Sequence, residues 1–403
     1  MNDLFQPCRE GQTAEVERLL SAGTPVRAVD ASGWTPLLVA AHHGHVGVVS
    51  LLLSNGACVG DTLETGATAL HLASRGGHSD VASALLANGA LVNARDEVRR
   101  TPLFVACRHG YASVASLLLQ HGALGSATDC KGCTPLITAC TENHLFVVQV
   151  LLFHGTPLQT EWRGFTALHI AASKGFVEVV EILLRHGAVV DHKAKDGYTP
   201  LHWASMKGNM EVAELLLRFG GAVDVVNGSG CIPLHAASGN GHKDIVRMLL
   251  ESGANVNAED RRGRTALFGA VAQSHDTVFQ LLLEAGADIN HQAEGGSTVL
   301  HHACSVGPVE MIRTLLENGA DIELKLHIGF NSLDLAAKKG ERNEGALEQC
   351  KEYLLLERSV EAYRTMLLCR ESHETMQHLP IEIMWEIRTW TGWLSLSSLG
   401  VNF

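Results

Sequence analysis

The feature that most constrains this chain is a signal of the form Thr-Pro-Leu that returns at almost constant intervals. The first residue of the signal falls at ten positions: Thr35, Thr68, Thr101, Thr134, Thr166, Thr199, Ile232, Thr265, Thr298 and Asn331. Eight steps are 33 residues long, and the step from Thr134 to Thr166 is 32. A unit this short cannot bury its own apolar face. Neighbouring units must therefore stack on one another and share one continuous core.

Each unit carries start and stop signals for two helices. A glycine two residues before the threonine, such as Gly197, permits a tight turn with positive φ. The threonine then caps a first helix, and the proline fits its first turn. A second helix ends in Leu183-Leu184 before Gly187, which stops it. The pattern predicts an all-α solenoid of paired antiparallel helices, with the missing residue of the short step in the loop from Thr156 to Arg163.

Two central units, GFTALHIAASKGFVEVVEILLRHGAVVD and GYTPLHWASMKGNMEVAELLLRFGGAVD, resemble ankyrin repeats almost letter for letter. The resemblance covers roughly residues 4 to 339 and implies a non-catalytic scaffold that binds other proteins. We expect an N-terminal capping repeat over 1–30, nine full repeats over 31–325 and a degenerate capping repeat over 326–357. Residues 358–403 are then expected to form a helical tail.

Composition argues against several classes of function. The formal net charge is −12, so the average field repels nucleic acid and anionic lipid. The sequence has neither a signal-peptide pattern at its start nor the 18 or more consecutive apolar residues of a membrane span. The ten cysteines lack the spacing of a small disulfide framework. We therefore expect a monomer of the cytoplasm and/or nucleus that binds neither nucleic acid nor a membrane.

No residue pattern in the sequence is typical of an enzyme or a metal centre. Many of the 22 histidines recur at fixed repeat positions, and the ankyrin resemblance implies that those following the Leu of the signal hydrogen-bond turn backbone. These are His71, His169, His202, His235 and His301. Cys130 and Cys133 form a C-x-x-C pair across a turn, but a zinc site needs four ligands. No phosphate-binding loop occurs. We expect no catalytic residue, no metal and no cofactor.

The ankyrin resemblance implies that partners bind at the turn tips and at the exposed ends of the first helices. Around Thr166 and Thr199 these positions are aromatic and basic: Trp162, Arg163, Phe165, Lys174, Lys195, Tyr198, Met206 and Lys207. Because Trp, Tyr and Arg are enriched in interface hot spots, we predict that they bind an acidic or apolar segment, extended or helical. The alternative is that these are scattered aromatics of ordinary ankyrin turns. Trp203 replaces an aliphatic residue of other repeats and is interpreted as filling the stack.

The tail carries a motif of another kind. The letters LPIEI from Leu379, followed by Ile387, resemble the opening of an F-box. An ankyrin array with such a tail is similar to poxvirus-type ankyrin proteins, which recruit a cullin ubiquitin ligase through its adaptor. This resemblance implies an alternative function as a ligase substrate receptor. The candidate adaptor-binding residues are Leu379, Pro380, Ile383 and Ile387. The other interpretation is a helix pair that caps the last repeat.

One asparagine is a candidate for modification. Leu282 and the run Asp288-Ile289-Asn290 resemble the spacing found in ankyrin substrates of asparaginyl hydroxylase. This resemblance predicts hydroxylation of Asn290.

Overall fold

The computed structural model describes residues 3–306, 309–338, 348 and 350–353. Within these residues the chain forms twenty-one α helices, one short 3-10 helix (Glu294–Gly296) and no strand, apart from isolated bridges in the turns. The predicted all-α solenoid of paired helices is confirmed. Each repeat through α20 contributes a first helix and a second helix, and α21 is one further first helix; these two terms are kept below.

The bounds of the helices follow the 33-residue period. The first helices are α1 (Phe5–Glu10), α3 (Pro36–His43), α5 (Ala69–Gly76), α7 (Pro102–His109), α9 (Pro135–Thr141), α11 (Ala167–Lys174), α13 (Pro200–Lys207), α15 (Pro233–Gly239), α17 (Ala266–Ala272), α19 (Val299–Val306) and α21 (Ser332–Lys338). The second helices are α2 (Thr13–Ser21), α4 (Val46–Ser54), α6 (Ser79–Ala87), α8 (Ala112–Gln120), α10 (Leu145–Phe153), α12 (Val177–Arg185), α14 (Met210–Arg218), α16 (Lys243–Glu251), α18 (Asp276–Glu284) and α20 (Val309–Glu317).

The chain divides into two compact units. Unit 1 comprises Met1–Pro233 with Glu251–Ala254, and unit 2 comprises Leu234–Leu250 with Asn255–Phe403. In unit 1 the first helices from α1 to α13 pack side by side in chain order, and the second helices from α2 to α14 do the same. In unit 2 the first helices α17, α19 and α21 pack in order, and α18 and α20 each pair with the preceding first helix.

The core of unit 1 is built from apolar residues three or four positions apart on each helix, which places them on one face. In α12, Val179, Val180 and Leu183 are fully buried, whereas Glu178 and Arg185 on the opposite side are exposed. The predicted stop is confirmed, because α12 ends two residues before Gly187, which has φ +87°. The short helices are therefore held mainly by the packing of their buried faces.

A short turn joins each repeat to the next. In the turn before α13, the N–H of Ala194 donates to the carbonyl of Tyr198 at 2.9 Å, and the N–H of Gly197 donates to the carbonyl of Ala194 at 2.8 Å. Three residues therefore lie between Ala194 and Tyr198, which hydrogen-bond across the turn. The last of the three, Gly197, has φ +77°. This left-handed conformation is accessible to glycine at little steric cost.

The 32-residue repeat has a tighter turn. The N–H of Trp162 donates to the carbonyl of Phe165 at 2.8 Å, and the N–H of Phe165 donates back at 3.0 Å. Only Arg163 and Gly164 lie between them, with φ of 56° and 85°. Positive φ at both central residues is the signature of a type I′ turn. The missing residue therefore falls in the loop before α11, as predicted.

We predict that Gly197→Ala destabilises unit 1 more than Gly187→Ala. Both glycines have positive φ, so an added Cβ strains either backbone by about 1 kcal/mol. At Gly197 the Cβ would also lie 2.7 Å from the backbone nitrogen of Gly228, whereas at Gly187 it meets nothing within 4 Å. We expect the additional loss to be about 1–3 kcal/mol, because backbone must shift. Urea unfolding of the two variants measures it, and equal losses would contradict close packing of the turns.

Candidate partner-binding surface

Three aromatic rings from two adjacent repeats meet at the surface of unit 1. The Trp203 ring lies 5.5 Å from the Phe165 ring and 5.7 Å from the Tyr198 ring, centroid to centroid. All three side chains are half-buried. Phe165 and Tyr198 each directly precede the threonine that caps a first helix, and Trp203 lies on α13. We call these three residues the aromatic cluster, because they form one continuous, partly exposed apolar surface.

The interpretation of Trp203 as a residue that fills the stack stays a prediction. At the same repeat position Leu72 is 5% and Val105 is 8% exposed, whereas Ile170 and Trp203 are both half-buried. An indole is larger than the aliphatic side chain it replaces, so one edge of the ring reaches solvent.

Trp162 lies over the preceding turn. Its indole N–H donates to the carbonyl of Lys131 at 3.1 Å, and the guanidinium carbon of Arg163 is 4.9 Å from its ring centroid. Counting back from the threonine assigned Trp162 to a tip position. In the two-residue turn Trp162 is instead the residue before the tip, where it hydrogen-bonds Phe165 across the turn. Ala194 is in the same position in the next repeat, where it hydrogen-bonds Tyr198. The positional assignment of Trp162 was therefore wrong by one residue, whereas Arg163 does lie at the tip.

Four of the predicted cations belong to the same two repeats as the aromatic cluster. Arg163, Lys174, Lys195 and Lys207 are exposed, and within the described part of the chain none of them forms an ion pair with a carboxylate. The Lys174 amine lies 5.8 Å from the centroid of the Phe176 ring. Met206, the remaining predicted residue, is half-buried on α13. The predicted cations and aromatics thus lie in two consecutive repeats, and a shared binding role for them stays a prediction.

Neighbouring turns touch one another beneath this surface. A Cβ added to Gly164 would lie 2.8 Å from the Cβ of Lys195, which shows how closely the two tips approach. The side chains of the two repeats therefore lie within reach of a single bound segment.

Buried histidines hold the aromatic residues in place. The backbone N–H of Thr166 donates to Nδ1 of His169 at 3.2 Å, and Nε2–H of His169 donates to the carbonyl of Tyr198 at 3.1 Å. His202 repeats the arrangement one unit later, with Nε2 3.0 Å from the carbonyl of Cys231. Burial lowers the pKa of His169 to about 4, so the ring is neutral near pH 7. These contacts confirm the structural role expected for these histidines.

Comparison with protein families gives matches along most of the chain. The model described as ankyrin repeats (3 copies) matches residues 4–96, 92–161, 155–227 and 219–293. The model described as ankyrin repeats (many copies) matches residues 282–336. The chain belongs to the ankyrin-repeat family. No individual curated protein matches it. Ankyrin repeats form protein–protein interaction domains, and the proteins that carry them are generally non-catalytic.

The other candidates from the sequence have different outcomes in this ankyrin protein. Leu379, Pro380, Ile383 and Ile387 lie outside the described residues, so the F-box-like tail stays a prediction. Across residues 3–306, 309–338, 348 and 350–353 no group of three or more His, Cys, Asp or Glu side chains is arranged to hold a metal ion. No helix in that part of the chain is both long and apolar enough to cross a membrane.

Asn290 connects two ankyrin repeats of unit 2, and its hydroxylation stays a prediction. Its side-chain amide donates to the carbonyl of Gly319 at 3.1 Å, and its Oδ1 accepts from the N–H of Asp321 at 2.7 Å. Asn257 makes the equivalent contacts one repeat earlier, but Asn255 stands where Asp288 precedes Asn290.

We therefore expect an asparaginyl hydroxylase to add one oxygen atom to Asn290 and none to Asn257. Peptide mass spectrometry after incubation with the enzyme measures both sites in one sample. An unshifted Asn290 peptide would contradict the prediction, and equal modification of both sites would show that Asp288 does not direct it.

Proposed function

We propose that this ankyrin protein is a non-catalytic scaffold of the cytoplasm and/or nucleus that binds a partner through the aromatic cluster and its surrounding cations. The observation that carries the proposal is the contact of Trp203 with both Phe165 and Tyr198, three half-buried rings from adjacent repeats. Large aromatic side chains at a surface supply most of the binding energy of typical hot spots. A continuous apolar surface of this kind favours a partner over an ordinary solvated turn.

The charges around the aromatic cluster favour a partner segment that is both acidic and apolar. The whole chain has a net charge of −12, yet the four cations at this surface have no carboxylate partner within the described residues. Unpaired cations at a rim attract an acidic segment and increase its rate of association. The rings would contact its apolar side chains. Because packed helices lie about 8–10 Å apart, a single extended or helical segment can span both repeats.

The proposal is tested by alanine variants of the aromatic cluster and of Trp162. Proteins are captured from a cell extract with the unmodified full chain and, in parallel, with the Tyr198→Ala and Trp203→Ala variants. Candidate partners are the proteins whose captured amount falls most with the variants. For a partner identified in this way we expect each truncation to weaken binding by about 2 kcal/mol or more, roughly 30-fold, mainly through faster dissociation. Trp162→Ala should weaken binding as well.

Charge variants and a control separate this surface from general effects. Lys174→Gln and Lys195→Gln should slow association, and the effect should shrink as salt is added. Leu91→Ala removes an exposed apolar side chain elsewhere in unit 1 and should leave affinity unchanged. Folded Tyr198→Ala and Trp203→Ala variants that bind the captured partner with unchanged affinity would show that the binding surface lies elsewhere.

The alternative function is that of a substrate receptor for a cullin-type ubiquitin ligase. The motif that begins at Leu379 supports it, and the aromatic cluster would then hold the substrate. Deletion of residues 375–403 should abolish binding of the ligase adaptor while the array stays folded and still binds its captured partner. If the full chain does not bind any adaptor of this kind, the alternative is wrong and the scaffold proposal is unaffected.

A further inference from the structure

The second helices of unit 1 differ sharply in the side chains that they expose. Their second, fifth and ninth residues point away from the core and are exposed or half-buried. In α4, α6, α8 and α10 these positions hold glycine, alanine, serine, glutamine and phenylalanine, and the only charge is Asp80. We call these positions the uncharged outer face.

The two helices that follow have the opposite character at the same positions. α12 exposes Glu178, Glu181 and Arg185, and α14 exposes Glu211, Glu214 and Arg218. All six of these positions are therefore charged. With one charge among twelve positions, the four successive helices α4, α6, α8 and α10 differ sharply from α12 and α14.

Two phenylalanines stand on the uncharged outer face. Phe146 is 70% exposed and Phe153 is 84% exposed, and they occupy the second and ninth positions of α10. The spacing of seven residues places both rings on one side of the helix. A stable soluble protein gains nothing by exposing two such rings to water, whereas covering them removes a large apolar area.

We propose that the uncharged outer face joins two copies of this chain in a two-fold symmetric dimer. Symmetry requires that each contact occur twice, with residue i on one copy facing residue j on the other. An axis between α6 and α8 would place α10 of each copy over α4 of the other. The large Phe146 and Phe153 would then meet the small exposed side of α4, where Gly47, Ser50 and Ser54 stand.

The available area suits a dimer. Each of the four helices has nine residues, which makes it about 13 Å long, and neighbouring helices pack about 10 Å apart. The face thus measures roughly 500 Å² per copy. Two copies would bury about 1,000 Å², which is the minimum for a biological interface and suits a weak dimer that forms at high concentration.

Charge also favours this face over other faces of the chain as the contact between two copies. Two chains of net charge −12 repel one another, and the repulsion is smallest where the approaching surfaces carry almost no charge. The uncharged outer face also matches itself in shape, because the chain supplies both the large Phe146 and Phe153 and the small residues of α4 that would receive them. This inference differs from the monomer expected from the sequence, and it does not depend on the proposed partner site.

Sedimentation velocity of the full chain over a wide concentration range tests the proposal. We expect the mass to rise from one chain to two as concentration increases. Phe146→Glu with Phe153→Arg gives α10 the residues that α12 carries at those positions, so the variant stays compatible with the fold and with the net charge. It should weaken dimerisation by at least about 100-fold. Ser50→Arg on α4 should also weaken it if the axis lies between α6 and α8.

Glu211→Lys with Arg218→Glu is the matched control on α14, and it should dimerise like the unmodified chain. Circular dichroism and thermal unfolding check that each variant is folded. A chain that stays monomeric at every concentration would overturn the proposal and leave the uncharged outer face to a different protein. A dimer that forms equally well in the folded phenylalanine variant would overturn it too, because another surface must then hold the copies together.

Discussion

Replacing Leu183 by alanine is expected to lower the free energy of unfolding by about 2–5 kcal/mol. Leu183 is fully buried on α12, between the second helices of the neighbouring repeats, α10 and α14. The substitution removes buried methyl groups and leaves a cavity that short, tightly packed helices can close only in part. This is a large share of the stability of an ordinary domain.

The position of the damage is as informative as its size. Each repeat contacts its neighbours only, so stability is approximately a sum of repeat and interface energies. We expect hydrogen exchange to accelerate first in α10, α12 and α14 and to change least near α1 and α3. Val189→Ala, at an exposed site after α12, is the control and should cost less than about 0.5 kcal/mol. A single uniform loss of protection along all of unit 1 would contradict this local picture.

The fold was predictable because each repeat carries the same local signals for where its helices begin and end. The cap at Thr199, the proline after it and the stop at Gly187 all act within a few residues, so the sequence alone places the helix ends. The period then requires stacking. The role of histidines such as His202 came from the ankyrin resemblance, and the carbonyl of Cys231 that His202 contacts belongs to the next repeat.

The candidate surface was less predictable because it depends on local departures from the repeat. A turn one residue shorter moved Trp162 to the position before the tip, which simple counting from Thr166 cannot reveal. The contact of Trp203 with both Phe165 and Tyr198 depends on how two adjacent repeats stack, which the sequence of one repeat does not show. Phe146 and Phe153 are present in the sequence, but the repeat pattern alone does not show that both rings are exposed beside helices with almost no charge. That requires a comparison of the exposed positions of successive second helices.

The stability of unit 1 is expected to fall as the pH drops from about 6.5 to about 4, and His169 should account for much of the loss. Burial lowers the pKa of His169 to about 4, while backbone contacts oppose the shift and the nearby His192 and His202 reinforce it. Protonation would also add a proton at Nδ1, the atom that accepts the backbone N–H of Thr166. The folded state therefore holds the ring neutral.

The sign follows from which state binds the proton more tightly. In the unfolded chain a histidine titrates near 6.5, so below that pH the unfolded state takes up a proton that folded His169 resists. The stabilisation is complete above about pH 6.5 and is lost progressively down to about pH 4. The difference of about 2.5 pKa units corresponds to roughly 3 kcal/mol. Burial lowers the pKa of His71 as well, which adds a loss of the same sign.

His169→Gln is the matched variant for this prediction, because glutamine at the third helical position can still accept the backbone N–H of Thr166 but does not titrate. The variant should be less stable at pH 7, having lost the contact to the Tyr198 carbonyl, yet its stability should depend less on pH between 6.5 and 4. Urea unfolding across that range measures both slopes, and NMR of the His169 ring gives its pKa directly. Equal slopes in the two proteins, or a ring that titrates near 6.5 in the folded chain, would contradict the neutral, buried state of His169.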